Sequence, residues 1–249
     1  MNRILVGHLA NIHFAPTKNA VSKLKREGIT ENVYLVGNSV IDALFLTLKI
    51  INQEQLEKNI INFFNKYIAN FAEIIKDKDK KIILVTGHRR ESFGEPFENI
   101  CNAILKITKK YKNVHIIYPV HFNPNVREPV NRILGGKDRI HLIEPLDYPH
   151  LVWLMNKSYI ILTDSGGIQE EAPSLNKPVL VLREVTERIE GIKAKTAKLV
   201  GTDVKKIVSE TSKLLENIIE YKKMVRRKNP YGDGTTCFKI RKIMEEICV

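Results

Sequence analysis

One stretch, YIILTDSGGIQEEAPSLNKPVLVLR at residues 159–183, constrains the fold more than any other part of the chain. Residues 159–162 form an apolar run of strand length, and residues 163–167 interrupt it with two glycines and three small polar groups. Residues 168–175 are predicted to form a short helix, and residues 179–182 form a second strand-length run. Two strands joined by a helix make a right-handed crossover and lie parallel in one sheet.

The turn in this stretch has the composition of an anion-binding site. Gly166 and Gly167 allow positive φ and let another group approach the backbone, and the helix start that follows offers unpaired N–H groups. With the Ser165 hydroxyl these groups suit a phosphate or diphosphate. Glu170 and Glu171, one turn later, could accept hydrogen bonds from ribose hydroxyls. The turn therefore predicts a nucleoside-diphosphate site, and the alternative is a plain tight turn with a capped helix.

Length, composition and charge limit the number of domains and the kinds of partner that this chain can have. The 249 residues suit one large domain, or one domain with additional pieces, and 43% hydrophobic residues are enough for a core. The net charge of +12 comes mostly from lysine, which is a poor residue for specific base readout. A solvated lysine surface is favoured over a field that attracts an anionic substrate. A nucleic-acid groove is least favoured, because only 7% of residues are aromatic.

The cysteines and the hydropathy indicate the cellular compartment of the protein. Cys101, Cys237 and Cys248 are odd in number and widely spaced, which favours a reduced compartment over a zinc site or a disulfide framework. No apolar run reaches the length of a membrane span, and no signal-peptide pattern opens the sequence. We therefore expect a cytoplasmic protein with no membrane and no nucleic acid among its partners.

Strand and helix patterns alternate along most of the chain. Helices are predicted at residues 1–14, 18–27, from 40, 54–76, 97–111, 127–134, 148–157, 203–227 and 235–247, and strands at residues 33–36, 81–86, 114–120, 139–143 and 197–200, besides the stretch at 159–183. This alternation predicts an α/β fold, with a Rossmann-like parallel sheet that carries helices on both faces.

Polar residues follow the predicted strands where such sheets bind ligands. His88 and Arg89 follow the strand at 81–86, His121 follows the next strand, and the glycine turn follows the strand at 159–162. A single histidine at a strand end is often structural, but several polar strand ends along one edge favour a ligand site. A metal site at His88 and His121 lacks an obvious third ligand, and a serine hydrolase lacks its G-x-S-x-G turn.

Long motifs then resemble one family. Residues 83–95, 118–134, 162–183, 199–203 and 229–234 closely resemble the non-hydrolysing UDP-N-acetylglucosamine 2-epimerases, and the opening at residues 2–3, 14–17 and 36–42 is similar too. The resemblance covers nearly the whole chain. It implies the C-terminal part of a GT-B fold, in which two Rossmann-like domains face a cleft. It also implies interconversion of UDP-GlcNAc and UDP-ManNAc by anti elimination and re-addition of UDP, without metal or other cofactor.

The resemblance also implies residue roles. His88 would lie at the active site near the sugar and the diphosphate. Ser165, Gly166 and Gly167 would hold the diphosphate, and Glu171 would bind the ribose hydroxyls.

Four further positions carry implied contacts. Leu146 and Leu151 would lie against the uracil, although the family often has an aromatic residue at the second position. Arg89 and His121 match positions that contact a second, effector UDP-GlcNAc in some members.

Domain organisation follows from the same resemblance. Residues 1–37 would be a remnant of the N-terminal Rossmann-like domain, residues 38–228 the C-terminal UDP-binding domain, and residues 229–249 a helix that crosses back. The family's HVEAG and PEE motifs, which carry glutamates, do not occur in this sequence. We therefore expect a C-terminal portion that binds UDP-sugar but lacks the catalytic carboxylates, and that forms a homodimer or pairs with a separate N-terminal half.

Three other functions stay open at this point. The chain could be a non-catalytic UDP-sugar-binding subunit, a GT-B glycosyltransferase or a hydrolysing epimerase, although the motifs favour the non-hydrolysing branch. Two departures from the family pattern are also present. Ile189 replaces a proline, which is expected to loosen a turn, and Lys195 replaces a glycine that tolerates positive φ.

Overall fold

The computed structural model describes residues 2–247 and divides into two compact units. The terminal unit comprises Met1–Leu46 and Asn229–Val249, and the central unit comprises Thr47–Lys228. Met1, Cys248 and Val249 lie outside the described residues, so the predictions that involve them are not addressed. Assignment of residues 1–37 and 229–249 to parts of a second domain stays a prediction.

The first part of the terminal unit alternates short helices and strands. Its elements are α1 (Asn2–Leu9), β1 (His13–Ala15), α2 (Lys18–Arg26), β2 (Val33–Leu35) and the start of α3 (Ser39–Ile51). β1 and β2 pair in parallel, with His13 opposite Val33. The Thr17 hydroxyl accepts a hydrogen bond from the Ala20 N–H at 3.2 Å and so caps α2.

The central unit continues the alternation around a larger sheet. Its elements are α4 (Glu54–Asn65), α5 (Phe71–Lys76), β3 (Lys81–Thr86), α6 (Glu95–Lys110), β4 (Val114–Pro119), α7 (Pro124–Leu134), β5 (Ile140–Ile143), α8 (Tyr148–Lys157), β6 (Ile160–Thr163), α9 (Gly166–Glu171), β7 (Val179–Val181), α10 (Ile189–Lys193), β8 (Ala197–Leu199), α11 (Val204–Glu216) and α12 (Ile218–Val225). A turn of 3-10 helix, Ala172–Leu175, extends α9.

The strand order of this sheet fixes where a ligand can bind. The order is β5-β4-β3-β6-β7-β8, and every pair is parallel. The chain builds outward from β3 to β5 and then returns to the other side of β3 with β6. The crevice at the carboxyl ends of β3 and β6 is therefore the topological switch point, where open α/β sheets bind ligands.

Helices cover both faces of the sheet, which confirms the predicted α/β class. On one face, alternate β3 residues Ile83 and Val85 pack in one buried cluster with Phe97 and Ile104 of α6 and Ile207 of α11. On the other face, the fully buried Trp153 of α8 stacks on Phe64 of α4 at 5.6 Å between ring centroids. Both layers shield the strands from water, so β3 is an almost continuous apolar run.

The last helix, α13 (Thr236–Ile247), joins the terminal unit through two of the motifs. Asp42 of the VGNSVID motif accepts hydrogen bonds from the N–H groups of Thr236 and Cys237, and Asn38 N–H donates to Tyr231 O at 2.7 Å. Asp42 thus satisfies two orphan donors at the start of α13. The VGNSVID and NPYGDG motifs therefore form one packed substructure.

Three predicted helices were wrong in extent. The helix predicted at residues 1–14 ends at Leu9, because residues 13–15 pair with β2 instead. The helix predicted at residues 54–76 is interrupted before α5, where Asn70 takes a left-handed conformation with φ 55°. The helix predicted at residues 203–227 breaks at Asn217, whose side chain caps α12 by accepting from the N–H of Ile219 and of Glu220.

The described residues contain neither a membrane-spanning helix nor a metal-binding cluster. Across residues 2–247, no helix is both long enough and apolar enough to cross a membrane. The same residues contain no group of three or more histidine, cysteine, aspartate or glutamate side chains that could hold a metal ion.

Candidate functional site

An open pocket of about 230 Å³ lies at the carboxyl ends of β3, β4, β5 and β6. It gathers most of the predicted site residues from five separate segments, namely His88, His121, Leu146, Leu151, Ser165, Gly167 and Glu171. Gly166 and Arg89 are close in sequence to these residues but are not part of the pocket lining. The pocket thus brings together apolar, polar and acidic groups that are distant in the sequence.

The glycine turn begins where β6 ends. The Thr163 hydroxyl accepts a hydrogen bond from the Ser165 N–H at 2.9 Å and lies 2.6 Å from the Thr86 hydroxyl on the neighbouring strand. Within the part of the chain that the structure describes, the Ser165 side chain makes no capping bond to α9, so its hydroxyl stays available at the pocket. The first turn of α9 adds N–H groups that lack acceptors within the helix.

The two glycines serve different spatial needs, and neither has the positive φ expected from the sequence. A Cβ atom on Gly166 would lie 3.3 Å from the Arg188 guanidinium and 3.3 Å from Glu187 Oε1, which is tighter than ordinary contact. A Cβ atom on Gly167 would lie 3.6 Å from Glu171 Oε1, in ordinary contact, and would project into the pocket. Close neighbours favour glycine at position 166, whereas at position 167 the missing side chain leaves room in the pocket.

Asp164 shapes the loop after β3 and was not among the predicted site residues. It is completely buried, and its Oδ2 accepts hydrogen bonds from the N–H groups of His88 and Arg89, both at 2.7 Å. Its Oδ1 lies 3.5 Å from His88 Nδ1. Asp164 therefore ties the end of β6 to the end of β3. The sequence signal was an acidic residue at a strand end, directly before the glycine turn.

Two histidine rings form one wall of the pocket. His88 and His121 stack with their ring centroids 5.4 Å apart and their planes 18° from parallel. Both side chains are exposed, and His121 Nδ1 accepts a hydrogen bond from the Asn123 N–H at 3.1 Å. The structure thus places the ring assigned to the active site next to the ring assigned to an effector site.

Glu171 is the acidic group of the pocket, and Tyr148 orients it. The Tyr148 hydroxyl donates a hydrogen bond to Glu171 Oε2 at 2.7 Å. Burial raises the pKa of Glu171 above its ordinary value, and the Tyr148 bond offsets part of that shift. Burial and the neighbouring Glu171 also raise the pKa of Tyr148. Tyr148 is the first residue of α8, and the sequence analysis did not identify it.

Residues 1–245 match the family model described as UDP-N-acetylglucosamine 2-epimerase. The chain belongs to the UDP-N-acetylglucosamine 2-epimerase family. This match covers almost the whole chain and confirms the family resemblance of the long motifs.

Relatives in this epimerase family match over a little under two thirds of their length. The UDP-N-acetylglucosamine 2-epimerase of Salmonella typhimurium is 53% identical over 241 residues, which are 96% of this chain and 62% of the relative. The crystal structure of UDP-GlcNAc 2-epimerase from Neisseria meningitidis, bound to UDP-GlcNAc, has a TM-score of 0.89 and 43% identity, and covers 98% of this chain and 64% of that chain. The Methanocaldococcus jannaschii enzyme, in complex with UDP-GlcNAc and UDP, has a TM-score of 0.77 and 32% identity, with 98% and 64% coverage.

A charged network borders the glycine turn of this epimerase-family chain. Arg188 Nε donates to Glu170 Oε1 at 2.7 Å, and Arg188 Nη1 donates to Glu187 Oε1 at 3.2 Å. Glu187 also accepts from Arg183 at 2.8 Å and has Arg89 Nη2 at 4.0 Å. The sequence analysis did not predict this network, because its members follow three different strands.

Proposed function

We propose that this chain provides the UDP-binding part of a UDP-GlcNAc 2-epimerase. The enzyme would interconvert UDP-GlcNAc and UDP-ManNAc by anti elimination of UDP, return of the proton to the other face of C2, and re-addition of UDP. One observation carries the proposal. In a chain of this family, the pocket at the switch point joins a glycine turn with a free hydroxyl, an oriented carboxylate and two leucines, which are the kinds of group that suit a diphosphate, a ribose and a base.

The diphosphate would lie against residues 165–167. The first N–H groups of α9 and the Ser165 hydroxyl are donors, and Gly167 leaves room for phosphate oxygens. Elimination of UDP places negative charge on the β-phosphate. Donors that are already oriented stabilise that charge as it develops, without reorganisation during the reaction.

Glu171 would bind the ribose. Because Tyr148 occupies Oε2, Oε1 stays available to accept a hydrogen bond from a ribose hydroxyl. Leu146 and Leu151, which also line the pocket, would lie against the uracil ring. These contacts are remote from the reacting carbons, so they contribute binding energy that helps to position the sugar.

His88 would contact the sugar–diphosphate region, because it extends from the loop beside the glycine turn. The C2 proton requires a base. Among the described residues that line the pocket, the only carboxylate is Glu171, which is assigned to the ribose. We therefore assign C2 proton transfer to groups outside this pocket, supplied in a homodimer or by an N-terminal half of the enzyme. Arg89 and His121 stay proposed contacts for an effector UDP-GlcNAc.

Calorimetric titration of the 249-residue chain with UDP and with UMP tests the proposal. The variant Gly167→Asp adds a carboxylate in the pocket beside the diphosphate position. The control Gly136→Asp adds the same group where no atom lies within 4 Å of the new Cβ, at a left-handed position that aspartate tolerates.

We expect the parent chain and the control to bind UDP more tightly than UMP, and Gly167→Asp to lose about 100-fold in UDP affinity. A parent chain that binds neither nucleotide, or a Gly167→Asp variant with unchanged affinity, would contradict the proposal. Conversion of UDP-GlcNAc to UDP-ManNAc by the chain alone would contradict only the assignment of C2 proton transfer to other groups.

A further inference from the structure

A second cavity, of about 770 Å³, lies at the β8 edge of the large sheet, against about 230 Å³ for the pocket at the switch point. It is lined by residues of β7, α10, β8, α11 and α12 and of the turns beside them, and the two share no described lining residue. Its volume is that of a typical small-molecule site. We propose that this cavity, called the basic cavity below, binds a phosphate monoester that carries an apolar chain.

Two helices face the basic cavity with the same spacing of side chains. The lining residues of α11 and of the cap that follows it are Glu210, Lys213, Leu214 and Asn217. The lining residues of α12 and of the turn that follows it are Glu220, Lys223, Met224 and Arg227. Positions three, four and seven residues apart lie on one face of a helix, so each helix presents a stripe that combines an acid, a cation and an apolar group.

The floor of the basic cavity is apolar. Besides the two apolar residues of the helical stripes, it includes Leu180 of β7, Ile192 of α10 and Ala197 of β8. Leu180 and Ala197 are buried, and so is Leu214 of α11. A floor of this kind favours an apolar chain, because each methylene group that leaves water for it raises the affinity by about fourfold.

Cations outnumber carboxylates around this floor, and both carboxylates are already paired. Glu210 accepts a hydrogen bond from Lys213 at 2.7 Å and a second one from Lys198 of β8. Glu220 accepts from Lys223. The ion pairs fix the positions of these side chains, and the lining keeps an excess of positive charge that attracts an anion.

Three groups at the rim keep donors for a ligand. Within residues 2–247, the side chains of Lys195 and Arg227 have no hydrogen-bond or ion-pair partner. The Asn217 side-chain oxygen accepts from the N–H groups of Ile219 and Glu220, which orients the amide and leaves its NH₂ group available. A phosphate monoester has several acceptor oxygens and up to two negative charges, so it suits an ammonium, a guanidinium and an amide together.

The backbone of Lys195 gives an independent sign of function. Lys195 has φ +60°, a left-handed conformation that is costly for a lysine. Strained residues of this kind concentrate at ligand sites, and this one supplies one of the two unpaired cations of the basic cavity. Because glycine adopts the same φ without strain, Lys195→Gly removes the cation without weakening the fold.

The position of the basic cavity predicts where a ligand changes the dynamics. Its two helical stripes lie on either side of the break at Asn217, so a bound ligand would join α11 to α12. Arg227 is two residues before Asn229, where the chain passes from the central unit to the terminal unit. We therefore expect a ligand to slow amide hydrogen exchange in residues 217–227 by about tenfold.

Calorimetric titration of the full chain with octyl phosphate, butyl phosphate and inorganic phosphate tests the proposal. Lys195→Gly and Arg227→Gln each remove an unpaired cation. Lys193→Ala is the matched control, because it removes an exposed lysine of α10 that does not line the cavity. We expect octyl phosphate to bind about 100-fold more tightly than butyl phosphate, and inorganic phosphate to bind most weakly. Each test variant should weaken octyl phosphate binding by about tenfold, and the control by less than about twofold.

Four results would overturn the proposal. They are no binding of octyl phosphate, equal affinities for the octyl and butyl esters, equal losses in Lys195→Gly and Lys193→Ala, and displacement of octyl phosphate by saturating UDP. The last result would assign the ester to the switch-point pocket. Thermal unfolding of each variant shows whether a loss of binding is a loss of fold, and Lys195→Gly should unfold at no lower temperature than the parent chain.

Vesicles separate the two sources of such a ligand, because phosphate monoesters with apolar chains occur as soluble compounds and as membrane lipids. Phosphatidylcholine vesicles with and without phosphatidic acid are sedimented with the parent chain, Lys195→Gly and Lys193→Ala. Binding to phosphatidic acid that only Lys195→Gly abolishes would support a lipid phosphate as the ligand. Octyl phosphate binding by a chain that does not sediment with either vesicle would support a soluble ester.

Discussion

Two histidine pairs in the central unit have almost the same spacing and very different surroundings. His88 and His121 lie at the carboxyl ends of β3 and β4, with ring centroids 5.4 Å apart, and both are exposed at the pocket. His115 and His141 lie near the starts of β4 and β5, with centroids 5.5 Å apart, and His115 is only 7% exposed.

The buried pair makes a direct hydrogen bond, with His115 Nδ1 and His141 Nε2 separated by 3.2 Å. One ring must donate and the other accept, which fixes the tautomers and favours the uncharged forms. Burial and the neighbouring His141 lower the pKa of His115 to about 4, and burial lowers that of His141. The comparison shows that position along the strand, and not residue type, separates a ligand-facing ring from a structural one.

Alanine substitution should give the largest difference between the two histidine pairs, in the free energy of unfolding and in UDP binding. His115→Ala should lower the free energy of unfolding by about 3 kcal/mol, because it leaves a cavity and removes the partner of a buried ring nitrogen. His88→Ala should change it by less than about 1 kcal/mol but weaken UDP binding by about tenfold. Urea unfolding and calorimetric titration measure both quantities. Equal destabilisation by the two variants would remove the distinction.

Low pH should reveal the second-largest effect, which is a loss of stability caused by the buried histidine His115. An unfolded histidine titrates near pH 6.5, whereas His115 in the folded chain titrates at about 4, so the unfolded state gains its proton first as the pH falls. The linked loss of stability from His115 should therefore reach about 3 kcal/mol as the pH falls from about 6.5 to about 4. Lys80 and Arg139 act in the same direction, and Asp138 opposes them. Urea unfolding of His115→Gln across this range should show a smaller loss than the parent chain.

Glu171, at the ligand end of the sheet, should have the opposite effect on the pH dependence of stability, because its charged form is the one that burial disfavours at high pH. Its folded pKa is raised by burial, so ionisation disfavours the folded state as the pH rises above about 4.5. Glu171→Gln should stabilise the chain by about 1 kcal/mol at pH 7, keep an acceptor for Tyr148, and weaken UDP binding. The stability gain should vanish below about pH 4, as thermal unfolding would show. A gain that persists there would contradict this account.

The smallest effect concerns Lys195, away from the pocket. It has φ +60°, where the family pattern has glycine, and a side chain in this conformation costs about 1 kcal/mol. Lys195→Gly should remove this strain, but glycine also raises the entropy of the unfolded state, so the net stabilisation should be about 0.5 kcal/mol. UDP affinity should not change. Lys193→Gly, at the end of α10, is the matched control and should destabilise by a similar amount. Thermal unfolding of the two variants checks the contrast in sign.

Much of the fold was predictable because local patterns and the sheet agree. The runs at Lys81–Thr86 and Tyr148–Lys157 have their predicted bounds, since buried parallel strands and capped amphipathic helices leave clear patterns. The helix predicted through Asn217 was wrong, because propensity does not reveal that one side chain will cap the next helix. The strand at His13–Ala15 was missed, because its partner β2 lies 20 residues away in register.

The candidate site divides in the same way. The sequence by itself determined the residues that are neighbours along the chain, such as Ser165, Gly167 and Glu171, and the strand-end position of His88, because strand periodicity places them at one edge. Only the tertiary structure decided that Asp164 holds the His88 loop, that Tyr148 orients Glu171, and that the Arg188 guanidinium lies beside Gly166. Those contacts join residues 22 to 76 positions apart, and their energies depend on burial and distance, which exist only once the sheet has formed.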